Sequence, residues 1–263
     1  MPSVTLYGYP TSPYVMKVGC YLKYKRLPFE FVAVNPISPQ QIRFTDQRQV
    51  PVLSIDDKWR KDSTPLGIWL DDVFPERPIL GDNDADSKRI LAIDNWVSDH
   101  LIAARFRAAV EWERPWDSIR NGWRLATAVH NATPIPFAAR LLWPFFVKRA
   151  PFIVRMVNAM DRSEDLHTLR GRLCREFIDH LNGGPFLGGR TRPSLADLSA
   201  YPIIIFAHLF GLRGASPFLA NETVLAWCTR VQSTLPRNPL LIPDALIRQP
   251  MFWADGAADS PPA

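Results

Sequence analysis

Val50-Pro51-Val52-Leu53 is the stretch on which the reading of this chain turns. It has the composition of a strand entry, yet proline has no N–H for a ladder and is confined to edges, first positions and bulges. An apolar residue, a proline and a short β-branched run predict a tight entry into a strand at Val52, with a cis bond at Pro51. A cis bond there turns the N–H and C=O of Val50 outward, where they can pair with an extended ligand. Further on, Asp62-Ser63 precedes the apolar-periodic run Leu66, Trp69, Leu70, Val73. That pattern predicts a helix capped by Ser63, whose free N–H groups favour an anion. A pairing edge, a carboxylate for an amine and a helix end for a carboxylate together describe a peptide-like zwitterion.

Outward from this stretch the pattern is an α/β unit. Val4-Thr5-Leu6-Tyr7-Gly8 reads as a buried strand. Ser12-Pro13 is a cap followed by a first-turn proline, and Val15, Val18 and Leu22 form the apolar face of a helix. Residues 29–34 alternate as a second strand, 40–46 suit a weak helix, 52–55 and 58–61 are a strand pair around Asp56-Asp57, and a helix follows from Thr64. The order predicts a small mixed sheet with helices on both faces. The turn-rich Gly81-Asp82-Asn83-Asp84-Ala85-Asp86 reads as a linker, and strand signals vanish from Ser87. Helices are expected near Trp116-Asp117, over 164–181 and over 221–234, and after Ser194, where Ser194 and Asp197 form a capping-box variant. Residues 133–152, with four prolines among aromatic residues, resist assignment. The division expected is 1–80, 87–250 and a flexible tail 251–263.

The totals narrow the class. The chain has 263 residues, 47% of them apolar and 22% charged, with a net charge of +5, as in globular domains with a proper core. No basic block suggests a nucleic-acid arm. Cys20, Cys174 and Cys228 are far apart and odd in number, which argues against a disulfide framework or a zinc site, and five scattered histidines argue against metal ligation. The start has neither a basic nor an apolar leader region and the apolar runs are short, so a reducing, cytoplasmic setting is expected.

Taken in order, these residues resemble the glutathione S-transferase superfamily. The resemblance rests on Leu6-Tyr7-Gly8 with Ser12-Pro13-Tyr14-Val15, Leu27-Pro28-Phe29-Glu30, Val50-Pro51-Val52-Leu53 and Asp62-Ser63. It continues in Trp69-Leu70-Asp71-Asp72, Pro185-Phe186-Leu187-Gly188 and Ser194-Leu195-Ala196-Asp197-Leu198. It implies a thioredoxin-like N-terminal domain followed by an all-helical one, glutathione as cosubstrate, and a homodimer. It also implies conjugation of the thiol to small hydrophobic electrophiles. The alternatives are a glutathione-dependent peroxidase or lyase, or a non-catalytic binding scaffold on the same fold. Carried over by position, Ser12 is the active-site serine and Tyr7 its rival. Val50 pairs with the cysteinyl part of the peptide, Pro51 is the cis-proline, Asp62 and Ser63 hold the γ-glutamyl end, and Gln49 is a further contact.

The chemistry fits. A free thiol has a pKa near 8.5, so about 3% is thiolate at pH 7. A hydroxyl donating to the sulfur beside a helix start favours the anion. A cysteine at position 12 would instead suggest thiol–disulfide exchange. Two departures stand out. Asp62 is one methylene shorter than the more usual glutamate, and the aromatic-rich segment 103–163 is longer than the family pattern. That segment reshapes or lids the acceptor pocket, docks on a partner or a membrane surface through Phe137 to Val157, or is plain helix packing.

Overall fold

The computed structural model describes residues 2–213 and 217–254. Four short strands, β1 (Val4–Gly8), β2 (Glu30–Ala33), β3 (Val52–Ile55) and β4 (Lys58–Lys61), form one sheet in the order β2-β1-β3-β4. β1 runs parallel to β2 and antiparallel to β3, and β3–β4 is a hairpin. Strand alternation sorts the two faces. Val4, Leu6, Leu53 and Ile55 join the main core beneath helices α1 (Pro13–Tyr24) and α2 (Ser63–Val73). Tyr7, Val52 and Val34 pack on the other face with Ile42, which comes from a 3-10 segment at Gln40–Thr45.

The second half is helical. Asn83 caps α3 (Asp84–Trp96) by accepting the Asp86 N–H at 3.0 Å. The helix therefore starts three residues before Ser87, where strand signals end. It runs through a π-helical turn, Val97–Ile102, into α4 (Ala103–Glu111). α5 (Pro115–Ala132), α6 (Phe137–Arg149) and α7 (Pro151–Asn158) follow. The stretch that resisted assignment is thus two helices, and its prolines punctuate them. Pro136 stands just before the first residue of α6, and Pro151 is the first residue of α7, where no N–H is needed. Pro144 lies inside α6 and packs on α5 at Gly122, where a Cβ would come within 2.7 Å of its ring.

α8 (Leu166–Leu181), α9 (Leu195–Leu209) and α10 (Glu222–Gln232) complete the helices. α9 is the apolar centre, and the expected capping box at its start is present. The buried Asp197 carboxylate accepts the Leu187 N–H at 2.9 Å and the Trp227 indole N–H at 2.8 Å. Burial nevertheless raises that carboxyl above the usual range. The tail expectation needs correction at its start. Trp253 is buried and donates to the Tyr201 hydroxyl at 3.1 Å, because an indole and an aromatic pocket outweigh the chain-end entropy. Residues 255–263 lie outside the described residues.

Candidate active site

Sheet register collects the site. Tyr7 pairs with Val52, and Val52 pairs with Lys61. One residue beyond that row lie Gly8, Pro51 and Asp62, each where its strand leaves the sheet. Neighbouring strands are about 4.8 Å apart, so three of them set these exits across about 10 Å, the reach of an extended tripeptide. At Gly8 an added Cβ would meet the Val15 side chain at 2.4 Å. Only glycine lets the end of β1 approach the first turn of α1 so closely.

The polar groups along this edge have few internal partners. Ser12 is the N-cap of α1 and half-buried; its N–H donates to the Tyr9 carbonyl at 3.0 Å, while its hydroxyl caps nothing. Pro13 has no N–H, so the N–H groups of Tyr14 and Val15 are the donors of the first turn left without a partner among the described residues. The Val50–Pro51 bond is cis. No backbone hydrogen bond engages Val50 among the described residues. Gln49 is exposed, and the Gln47 side chain holds its main chain, accepting at 2.6 Å and donating at 2.9 Å.

The cap of α2 falls one residue earlier than the sequence pattern places it. Ser63 is the buried first residue of α2 and Asp62 is the N-cap. The reason is the backbone of Asp62, at φ 72° and ψ 128°, which no non-glycine residue adopts without strain of about 1–3 kcal/mol. Its carboxylate is exposed and does not cap the helix. Strain of this kind persists where surrounding structure enforces it, and it is concentrated at ligand clamps.

Behind the edge lies a group absent from the sequence reading. Lys17 of α1 and Asp94 of α3 form a fully buried ion pair at 2.7 Å. Asp94 also accepts from Thr64, the second residue of α2, and from Ser199 of α9 at 2.5 Å; Lys17 donates to Ser98 at 3.0 Å. Tyr21 hydrogen-bonds Ser199 at 2.6 Å. This network ties the starts of α1 and α2 to the helical layer. Its signal in the sequence was a carboxylate inside the apolar spacing Ile90, Ile93, Val97 and a lysine among the buried residues of α1.

The tyrosines divide by face. Tyr7 lies on the face opposite Val15 and stacks edge-on against Phe44, with ring centroids 5.3 Å apart. Burial and the Glu30 carboxylate raise its pKa. Tyr9 is raised by burial alone. Tyr14 is raised well above its ordinary value by burial, then by the carboxylates of Asp99, Asp62 and Asp94. Its hydroxyl donates to the Met156 sulfur at 3.5 Å, and its ring meets Phe152 edge-on at 6.2 Å. Phe152 also meets Phe106 of α4, at 6.0 Å. Residues of α7, from the long segment, therefore cover the first turn of α1. Cys20 is buried, its thiol pushed up to about 12 by desolvation. No group of His, Cys, Asp and Glu is arranged to hold a metal among the described residues.

A mixed four-stranded sheet entered through a cis-proline and followed by helices defines a thioredoxin-like plus all-helical protein. Residues 6–78 match the family model for the glutathione S-transferase N-terminal domain. Prostaglandin E synthase 2 of Danio rerio is 22% identical over 267 residues, covering 87% of this chain and 70% of that protein. A glutathione S-transferase from Rhodospirillum rubrum F11 superposes with a TM-score of 0.61 at 20% identity, over 96% of this chain and 98% of that one. Human glutathione transferase theta-2, solved with glutathione, superposes at 0.59 with 17% identity, over 88% and 82%. The family match is confined to residues 6–78, and over the whole chain the likeness to these solved structures is one of fold.

Proposed function

We propose that this chain is a glutathione-dependent enzyme that transfers the thiolate of glutathione to small hydrophobic electrophiles. The observation that carries this reading is the row of exits at Gly8, Pro51 and Asp62, where the Ser12 hydroxyl, the Val50 main chain and the Asp62 carboxylate have no hydrogen-bond partner among the described residues. The main chain of Val50 pairs with the cysteinyl unit, Asp62 receives the amine, and the Ser63 end of α2 faces the γ-glutamyl carboxylate. Glutathione supplies the nucleophilic sulfur. Ser12 Oγ–H donates to that sulfur, and the free N–H groups of Tyr14 and Val15 add positive potential. Together they shift the thiol toward the anion; lowering its pKa by two requires about 2.7 kcal/mol, within reach of a charge-assisted hydrogen bond and a helix end. The thiol proton passes to water, and the sulfur–carbon bond forms as the electrophile's leaving group departs with its electron pair. Tyr7, on the far face of the sheet, takes no part.

Phe106, Phe152 and Met156 give the acceptor side an apolar wall, which supports an apolar acceptor. The relatives named prostaglandin E synthase 2 favour a second reading, in which the same thiolate acts on a prostaglandin-type substrate. The protein works as a homodimer, which light scattering tests. Retention on glutathione resin with turnover of an activated aryl halide supports transfer. Retention without turnover of any electrophile would favour a binding scaffold.

A further inference from the structure

α6 is apolar on its outward side as well as its inward one. Its outward stripe is Phe137, Ala138, Leu141, Leu142, Phe145 and Phe146, and Arg149 closes it, at the i, i+4 spacing of one helix face. Phe137 is 76% exposed. On α5, Trp116 at 82% exposure, Arg120 and Trp123 form a second outward row, and Phe152 of α7 extends the surface to Tyr14. Contiguous apolar surface of this kind marks an interaction site.

Charge identifies the occupant. Over α5 to α7, residues 115–158, there are six Arg and Lys and one acid, Asp117, which is paired with Arg213 outside the stretch. None of the six is in an ion pair among the described residues. A second copy on this face would set cations against cations. An acidic surface that also accepts aliphatic and aromatic side chains is an anionic bilayer, where indoles and arginines settle at the headgroup level. At 13 residues α6 is about 20 Å long, which suits lying in the interface. No helix of the described residues is long and apolar enough to cross a membrane.

We propose that the outward faces of α5, α6 and α7 dock on an anionic lipid surface, with Phe137, Leu141, Leu142, Phe145 and Phe146 entering the boundary between headgroups and acyl chains. This surface stands independently of glutathione binding. The test is flotation of the full chain with phosphatidylcholine vesicles, with and without about 30% phosphatidylglycerol. The chain is expected to float with the anionic vesicles, at least tenfold less with the neutral ones, and to be released by about 0.5 M salt. Replacing Leu141 and Phe146 by serine should cut partitioning at least tenfold. Arg149→Gln and Arg155→Gln should each cut it about fivefold. Because all four side chains are exposed, melting temperature and glutathione turnover should not change. Absence of flotation with anionic vesicles, or equal flotation with neutral ones, would overturn the proposal. So would a dimer that dissociates on the Leu141 and Phe146 substitutions, which would show a second copy on this face.

Discussion

The two surfaces that meet at Tyr14 are built on opposite principles. The sheet edge is made of main chain: Val50, the start of α1 and the start of α2 present N–H and C=O groups whose positions follow from strand register. The covering helix α7 contributes only side chains, Phe152 and Met156, held by aromatic and thioether contacts. A main-chain floor changes little with mutation, whereas a side-chain roof is freely rewritten. Under the proposed function, the comparison teaches that the main-chain floor sets the cosubstrate and the side-chain roof sets the acceptor.

The largest effect is expected where the floor is anchored. Lys17→Met leaves the Asp94 carboxylate buried without its cation, so stability should fall by about 3–5 kcal/mol, or about 10 °C in melting temperature. Removing both charges with Asp94→Leu should cost less than the single change. If thermal denaturation gave equal losses, the pair would not be the anchor.

Next is the chemistry itself. Ser12→Ala should lower kcat/KM at least tenfold and leave glutathione affinity within a few-fold, while Tyr7→Phe stays near wild type. Steady-state kinetics decide between them, and the reverse pattern would move the catalytic role across the sheet. Asp62 then separates function from stability. Asp62→Gly relieves the backbone at φ 72° and should raise the melting temperature by about 1–3 °C. It should also weaken glutathione binding about tenfold by calorimetry, because the amine loses its carboxylate. A melting temperature that falls instead would remove the strain from the argument.

The smallest effect concerns the buried thiols. Desolvation raises the Cys20, Cys174 and Cys228 thiols above their ordinary values, Cys20 to about 12. A group raised in the folded state stabilises fully below its unfolded value and loses that contribution as pH rises through the folded value. Stability should be level from about pH 6 to 8 and decline from about pH 9 toward 12. Reaction with a thiol reagent at neutral pH should follow global unfolding, and a fast-reacting cysteine would contradict this.

What was legible in the sequence divides along the same line as the two surfaces. Strands 52–55 and 58–61 could be read residue by residue, since Asp56-Asp57 forces a turn and β alternation flanks it. The cis-proline and the Ser194–Asp197 capping box carry local signals of one or two residues. The shift of the cap from Ser63 to Asp62 was not legible, because a cap normally avoids positive φ and only tertiary packing enforces it. Lys17 and Asp94 lie far apart in sequence, so their pairing emerges only when α1 and α3 pack. α6 stayed hidden because its exposed stripe is apolar, whereas periodicity assigns such a stripe to the core, and because Pro144 lies inside it.

The central claim is that Ser12 and the start of α1 ionise the sulfur of glutathione. The most direct measurement is the ultraviolet thiolate band of the complex, titrated with pH in the wild-type protein and in Ser12→Ala. The bound thiol is expected to titrate near about 6.5, against about 8.5 free, and to return most of the way in the variant. A bound thiol titrating as in free glutathione, or equally in both proteins, would contradict the account.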